Sequence, residues 1–111
     1  MDAETLAALK QSIEKWEHNA VAETPDDFAT EAETCALCDL FYWKGGCNRC
    51  PVKERTGQWG CRGTPYVAAD AAHEEWSACP SNPTLRDASH AAARAEAEFL
   101  RSLLPEGEPT P

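Results

Sequence analysis

The sequence predicts a mainly α-helical single domain whose middle is an irregular, cysteine-rich segment. Near both ends of the chain, apolar side chains recur at spacings of three and four residues, as they do on the buried face of a helix. Between them, residues 35–63 hold five cysteines and five of the six glycines, a composition typical of turns. A length of 111 residues suits one domain. We place it at residues 1–104 and expect the proline-rich, acidic tail over 105–111 to be disordered.

The first two predicted elements are a helix over residues 3–21 and a short helix over residues 24–34. Asp2 is a plausible N-cap of the first, and its apolar face repeats at helical spacing. That face consists of Leu6, Leu9, Ile13, Trp16 and Ala20. The second helix is predicted because Thr24 can cap it and Pro25 suits the first helical position. Its expected core residue is Phe28.

Two further helices are predicted after the cysteines, over residues 65–77 and 83–103. The first follows the cap-then-proline pair Thr64-Pro65, and proline residues break the chain before the second. The predicted inward face of the 65–77 helix consists of Tyr66, Ala69, His73 and Trp76. That of the 83–103 helix consists of Leu85, Ala88, Ala92, Ala95, Phe99 and Leu103. We expect the first and last helices to pair, with His73 packed in the core and His18 and His90 solvated.

Residues 44–63 are predicted to lack regular structure, because glycine and proline recur throughout them. A loop of this length inside a compact domain needs something to hold it. Large apolar residues are also scarce, since much of the apolar content is alanine, and a thin core in a small chain usually has a covalent or metal staple. The six cysteines are the candidate staple.

The redox compartment decides how those cysteines are interpreted. The first residues, Met-Asp-Ala-Glu-Thr, are acidic and lack the apolar run of a signal peptide, and no stretch approaches the ~20 apolar residues of a membrane span. We therefore expect a cytoplasmic protein. In a reducing compartment clustered cysteines bind metal more often than they form disulfides, so three disulfides are the alternative.

The candidate metal ligands are two CxxC pairs and a fifth cysteine ten residues later. Each pair lets two thiolates from one tight turn face the same ion, and two pairs complete a tetrahedral shell at about 2.3 Å from zinc. The five candidates are Cys35, Cys38, Cys47, Cys50 and Cys61. Either the two CxxC pairs supply all four metal ligands, or Cys61 takes the place of Cys47 among those four. Cys79 stands apart and is expected to be a half-buried free thiol.

The expected fold is therefore a small helical domain with a metal-stapled, irregular cysteine knot over residues 35–63, between its helices. Zn(II) is the expected metal, with a [4Fe-4S] cluster as the alternative. Cys50-Pro51 is similar to the Cys-Pro end of bacterial ferredoxin runs. The six residues 47–52, followed by Gly57-Gln-Trp-Gly60, also resemble the iron–sulfur core of WhiB-type regulators. Those proteins have a longer gap before the CxxC pair and a shorter one to the last cysteine.

A net charge of −9 argues against a general nucleic-acid binder, because contacts to phosphate need lysine and arginine. Residues 35–66 are nevertheless basic. Their five bases are Lys44, Arg49, Lys53, Arg55 and Arg62. Together with the aromatic residues 41–43, these side chains make a nucleic-acid-binding regulator the alternative function. The other explanation is that they offset the charge of −2 on four thiolates around Zn(II), and that the rings belong to the core.

A longer pattern covers residues 35–66. It reads Cys-Ala-Leu-Cys, then Cys-Asn-Arg-Cys-Pro-Val, Thr-Gly, Gly-Cys and Gly-Thr-Pro-Tyr, and it resembles small cysteine-rich proteins of bacteriophages and prophages. The closing Glu98-Phe99-Leu100 is similar as well. The resemblance includes the five clustered cysteines and leaves Cys79 outside. It implies a cysteine-built module in a phage setting and no particular activity.

No arrangement of residues in the sequence indicates catalysis. Catalytic CxxC motifs begin a helix after a strand, and the sequence has neither that context nor a Ser/His/Asp set or paired carboxylates. We therefore expect a protein that is not an enzyme and that acts as a protein-interaction module, engaging a host or phage protein through its acidic surface.

Overall fold

The computed structural model describes residues 2–30, 40–41, 51–57 and 64–108, with residues 53 and 54 described by their backbone alone. In these ranges the chain is mainly helical and contains no strand, which confirms the predicted fold class at this level. The elements are α1 (Ala3–Asn19), a 3-10 turn (Pro25–Asp27), α2 (Pro51–Thr56), α3 (Tyr66–Ala78) and α4 (Pro83–Arg101).

The ends of the long helices follow their capping residues. The Asp2 carboxylate accepts a hydrogen bond from the Thr5 backbone N–H at 2.7 Å and so caps the N-terminus of α1. Before α4, the Asn82 side chain accepts hydrogen bonds from the backbone N–H groups of Thr84 (2.9 Å) and Leu85 (3.3 Å). Helices α1, α3 and α4 lie within two residues of their predicted limits.

Two local expectations differ from the structure. The helix predicted over 24–34 begins at Pro25 but forms one 3-10 turn, after which Phe28 is extended. Residues 31–34 lie outside the described residues. Conversely, α2 forms where regular structure was not expected. Pro51 suits its first position, and Gly57 ends it with φ of +72°, a value that glycine adopts at low energetic cost.

Helix α4 packs against both α1 and α3. The α3–α4 pair is a hairpin, because Trp76 near the end of α3 contacts His90 in the first half of α4. Helix α1 runs antiparallel to α4, because His90 in the first half of α4 contacts Ala22 just after α1, whereas residues at and beyond the end of α4 contact earlier residues of α1. At the far end of α4, Arg101 forms an ion pair with Glu17 of α1, and Glu108 beyond it lies 3.0 Å from Lys10.

The core is built around aromatic rings from three elements. Phe28 packs edge-on against Trp16 of α1 (5.9 Å between centroids) and against Trp76 of α3 (6.3 Å). Leu9 and Ile13 of α1 are fully buried, as predicted, whereas Leu6 lies at the edge of the interface. Phe28 therefore fills the space between α1 and α3 even though its backbone is not helical.

The buried face of α4 is rotated by about one residue from the predicted face. The buried residues are Ser89, Ala93, Glu96, Ala97 and Leu100. Ala88 and Ala95 are exposed, and Phe99 and Leu103 are only partly buried. Alanine occurs on every side of this helix, so its apolar periodicity does not distinguish one face from the next. The observed face carries the small residues that permit close packing against both neighbouring helices.

Candidate metal site

The predicted ligands Cys35, Cys38, Cys47, Cys50 and Cys61 all lie outside the described residues. The same is true of Lys44, Arg49 and Arg62, and of the side chain of Lys53. Within the described residues, no group of three or more histidine, cysteine or acidic side chains could hold a metal. The described residues do include the frame of the cysteine segment (residues 31–63), that is, the residues that hold its two ends and its middle. Cys79, outside it, is exposed rather than half-buried.

The chain enters the cysteine segment through a connection (residues 20–30) that is held by side chains of the helices. Asn19, the last residue of α1, is fully buried. Its Nδ2 donates to the Ala29 carbonyl at 2.8 Å, and its Oδ1 accepts from the Ala29 N–H at 3.0 Å. Both backbone groups of Ala29 are thereby satisfied without secondary structure. This pairing also explains why the chain leaves the 3-10 turn in an extended conformation.

Two histidines hold the same connection. The Nε2 atom of His73 lies 2.8 Å from the Pro25 carbonyl, and that of His90 lies 2.7 Å from the Ala22 carbonyl. Because a carbonyl only accepts, each Nε2 carries the proton. The His73 ring stacks on Phe28 at 5.1 Å, so His73 is packed, as predicted.

The other two histidine predictions have different outcomes. His18 is exposed, as predicted, with Asp27 3.4 Å away. The prediction of a solvated His90 is wrong, because this side chain is half-buried and edge-on to Trp76 at 5.8 Å. The carbonyl of Ala22, just beyond α1, gives the His90 ring a hydrogen-bond partner inside the fold.

The chain leaves the cysteine segment at Thr64, and this exit is fastened to α4. The Thr64 hydroxyl donates to Oε2 of Glu96 at 3.3 Å and accepts from the backbone N–H of Tyr66 at 3.2 Å. Glu96 is 1% exposed, so its carboxylate lies within the core. Burying a carboxylate is costly unless it accepts hydrogen bonds, and Thr64 supplies one.

Tyr66 also reaches the other end of the segment. Its phenol hydroxyl donates to the Thr30 carbonyl at 2.9 Å, while its backbone N–H binds the Thr64 hydroxyl. The two ends of the cysteine segment are therefore both bound by Tyr66, one through its side chain and the other through its backbone. We call the four residues Thr30, Thr64, Tyr66 and Glu96 the terminal latch.

The middle of the cysteine segment is anchored through α2. Phe41 and Val52 are buried in the core. The guanidinium of Arg55 donates to the Ser102 carbonyl at 3.1 Å, at the negative end of the α4 dipole. This bond gives Arg55 a structural partner, and its role in nucleic-acid binding stays a prediction. The segment is thus held at its entry, middle and exit.

Sequence reasoning did not identify the latch or Asn19 as functional. The sequence predicts Tyr66 on an apolar face and predicts no role for Glu96. One signal was available, since Glu96 lies among alanines at positions 92, 93 and 97, where a charged residue inside a buried stripe needs a partner. The contact of Tyr66 with Thr30 joins residues 36 apart and leaves no local signature.

Comparisons with known proteins add no relative. No protein-family model, curated protein or solved structure matches this chain. Among the described residues, no helix has the length and apolar character required to cross a lipid bilayer.

Proposed function

We propose that the chain is a small metal-binding protein-interaction module in which four of five clustered cysteines hold a structural Zn(II). The observation that carries this proposal is the spacing of the cysteines, two CxxC pairs separated by eight residues and a fifth cysteine ten residues later. A shell made of four thiolates leaves no open coordination position. The zinc would therefore stabilise the fold and would not activate a substrate.

The contacts that hold the cysteine segment support a stabilising metal site within it. The terminal latch joins Thr30 and Thr64, the residues that flank the cysteine segment. Ordering a segment of this length is entropically unfavourable. A metal bound by cysteines from both halves of the segment offsets that unfavourable term, because metal binding and folding are then one process.

The described surface favours a basic protein partner. Its exposed acids include Glu14, Glu23, Asp26, Asp27, Glu74, Glu75, Asp87 and Glu98. Such a surface attracts a partner with a positive patch, for example a nucleic-acid-binding enzyme, and electrostatic complementarity mainly raises the association rate and the specificity. The resemblance to phage proteins makes a bacterial host protein the natural candidate.

An affinity capture with a matched bait tests the interaction. The zinc-loaded wild-type chain and a Cys38→Ser variant are immobilised and exposed to bacterial lysate, with and without nuclease treatment. We expect a partner that the wild-type chain retains, that the variant retains poorly, and that about 0.5 M salt releases, because screening weakens contacts between exposed charges.

Two results would contradict the interaction proposal. The first is the absence of any reproducible partner, and the second is equal recovery on both baits. Retention that disappears after nuclease treatment would favour the nucleic-acid alternative, for which changing Arg49, Lys53 and Arg55 together to alanine should abolish binding at low salt.

A further inference from the structure

We propose that Tyr66 is a positioning residue for the metal module: through the terminal latch it holds the two ends of the cysteine segment together and thereby raises the affinity of the segment for zinc. The inference rests on the proposed zinc site and extends it, since it assigns the control of affinity to residues that bind no metal.

The geometry places one residue at both ends: Tyr66 contacts the entry of the segment through its side chain and the exit through its backbone. The Tyr66 hydroxyl binds the Thr30 carbonyl, five residues before Cys35, and the Tyr66 N–H binds the Thr64 hydroxyl, three residues after Cys61. Cys35 and Cys61 therefore each lie within five residues, along the chain, of a residue that Tyr66 binds. A substitution at Tyr66 is therefore expected to change how closely the two ends of the cysteine segment are held together.

Core packing alone does not account for the polar groups of the latch. The Tyr66 ring meets Trp16 edge-on at 5.9 Å, and a phenylalanine ring would make the same contact. The hydroxyl adds the bond to Thr30. Similarly, an apolar residue would fill the position of Glu96 without the desolvation of a carboxylate, yet the carboxylate accepts from Thr64. The polar atoms of the latch therefore lie where the cysteine segment begins and where it ends.

The physical consequence is preorganisation. Zinc binding must order the cysteine segment, and the entropic penalty is smaller when its ends already lie together. Removing one hydrogen bond of ordinary net strength should weaken zinc binding about fivefold, which corresponds to about 1 kcal/mol.

The test compares zinc dissociation constants of full-length, reduced protein, measured by competition with a chromophoric chelator. The primary variant is Tyr66→Phe. Thr64→Val and Thr64→Ser form a second pair, because serine keeps the hydroxyl that binds Glu96 and valine removes it. Asn82→Ala is the matched control, since it removes the cap of α4 at a point that makes no contact with the latch residues in the described structure. The melting temperature of each variant is recorded alongside.

A positioning role and a purely structural role give different patterns. We expect Tyr66→Phe and Thr64→Val to raise the dissociation constant about three- to tenfold, Thr64→Ser to restore most of the affinity, and Asn82→Ala to lower the melting temperature with affinity unchanged. Zinc affinity within twofold of wild type in both Tyr66→Phe and Thr64→Val would overturn the inference and leave the zinc site standing. A wild-type chain that binds no zinc would overturn the proposed function together with the inference.

Discussion

Replacing Trp76 with alanine should lower the free energy of unfolding by about 3–5 kcal/mol, the usual effect of truncating a fully buried tryptophan. Trp76 is 0% exposed and packs edge-on against both Phe28 and His90. Its Nε1–H also donates to the Pro80 carbonyl at 3.2 Å, which closes the turn between α3 and α4. The loss would be a large part of the total stability of a domain of this size. Chemical denaturation followed by far-UV circular dichroism measures it.

The control for this prediction is Trp76→Phe. Phenylalanine keeps an aromatic ring in the same place and removes the N–H donor and some volume, so we expect a smaller loss of about 1–2 kcal/mol. An alanine variant that unfolds within about 1 kcal/mol of the wild-type chain would contradict the assignment of Trp76 to the centre of the core.

Replacing Cys38 with serine should remove zinc from the protein and lower the stability of the zinc-loaded chain by several kcal/mol, because a structural site contributes its binding energy to folding. A serine hydroxyl does not replace a thiolate as a zinc ligand at neutral pH. Cys50→Ser should behave alike, since Cys50 belongs to both candidate ligand sets. The measurements are zinc content after dialysis, denaturation midpoint, and cleavage by trypsin over residues 44–62.

Cys79→Ser is the matched control for the cysteine variants. Cys79 is exposed at the end of α3, outside the cluster, so its replacement should change stability by no more than about 0.5 kcal/mol and leave the zinc content intact. Full zinc content in Cys38→Ser, or loss of zinc in Cys79→Ser, would show that the ligand assignment is wrong.

The helices were predictable because their signals are local. Asp2 caps α1 as expected, and the strong apolar residues of α1 identify its buried face. Helix α4 carries a weaker signal, because alanine lies on all its sides and tertiary packing selects the face. The 3-10 turn could not be foreseen for a related reason. The bonds from Asn19 to Ala29 come from another element and override a good helix start.

The proposed metal chemistry comes from the sequence alone and stays a prediction, whereas the contacts around the cysteine segment are seen only in the structure. The CxxC spacing indicates metal ligands directly, since two thiolates two residues apart can face one ion. The spacing does not choose between Cys47 and Cys61, and this choice stays a prediction. The latch as a whole has no local signature, because Thr30, Tyr66 and Glu96 come together only when the connection after α1 packs with α3 and α4.

Native mass spectrometry with elemental analysis, on protein purified without oxygen, tests the central claim most directly. The proposed zinc module predicts a colourless protein with one zinc per chain and reduced cysteines. A brown protein with about four irons per chain would contradict zinc in favour of an iron–sulfur cluster. A metal-free chain lighter by the mass of six hydrogen atoms, as expected if its six cysteines formed disulfides, would contradict the metal site altogether.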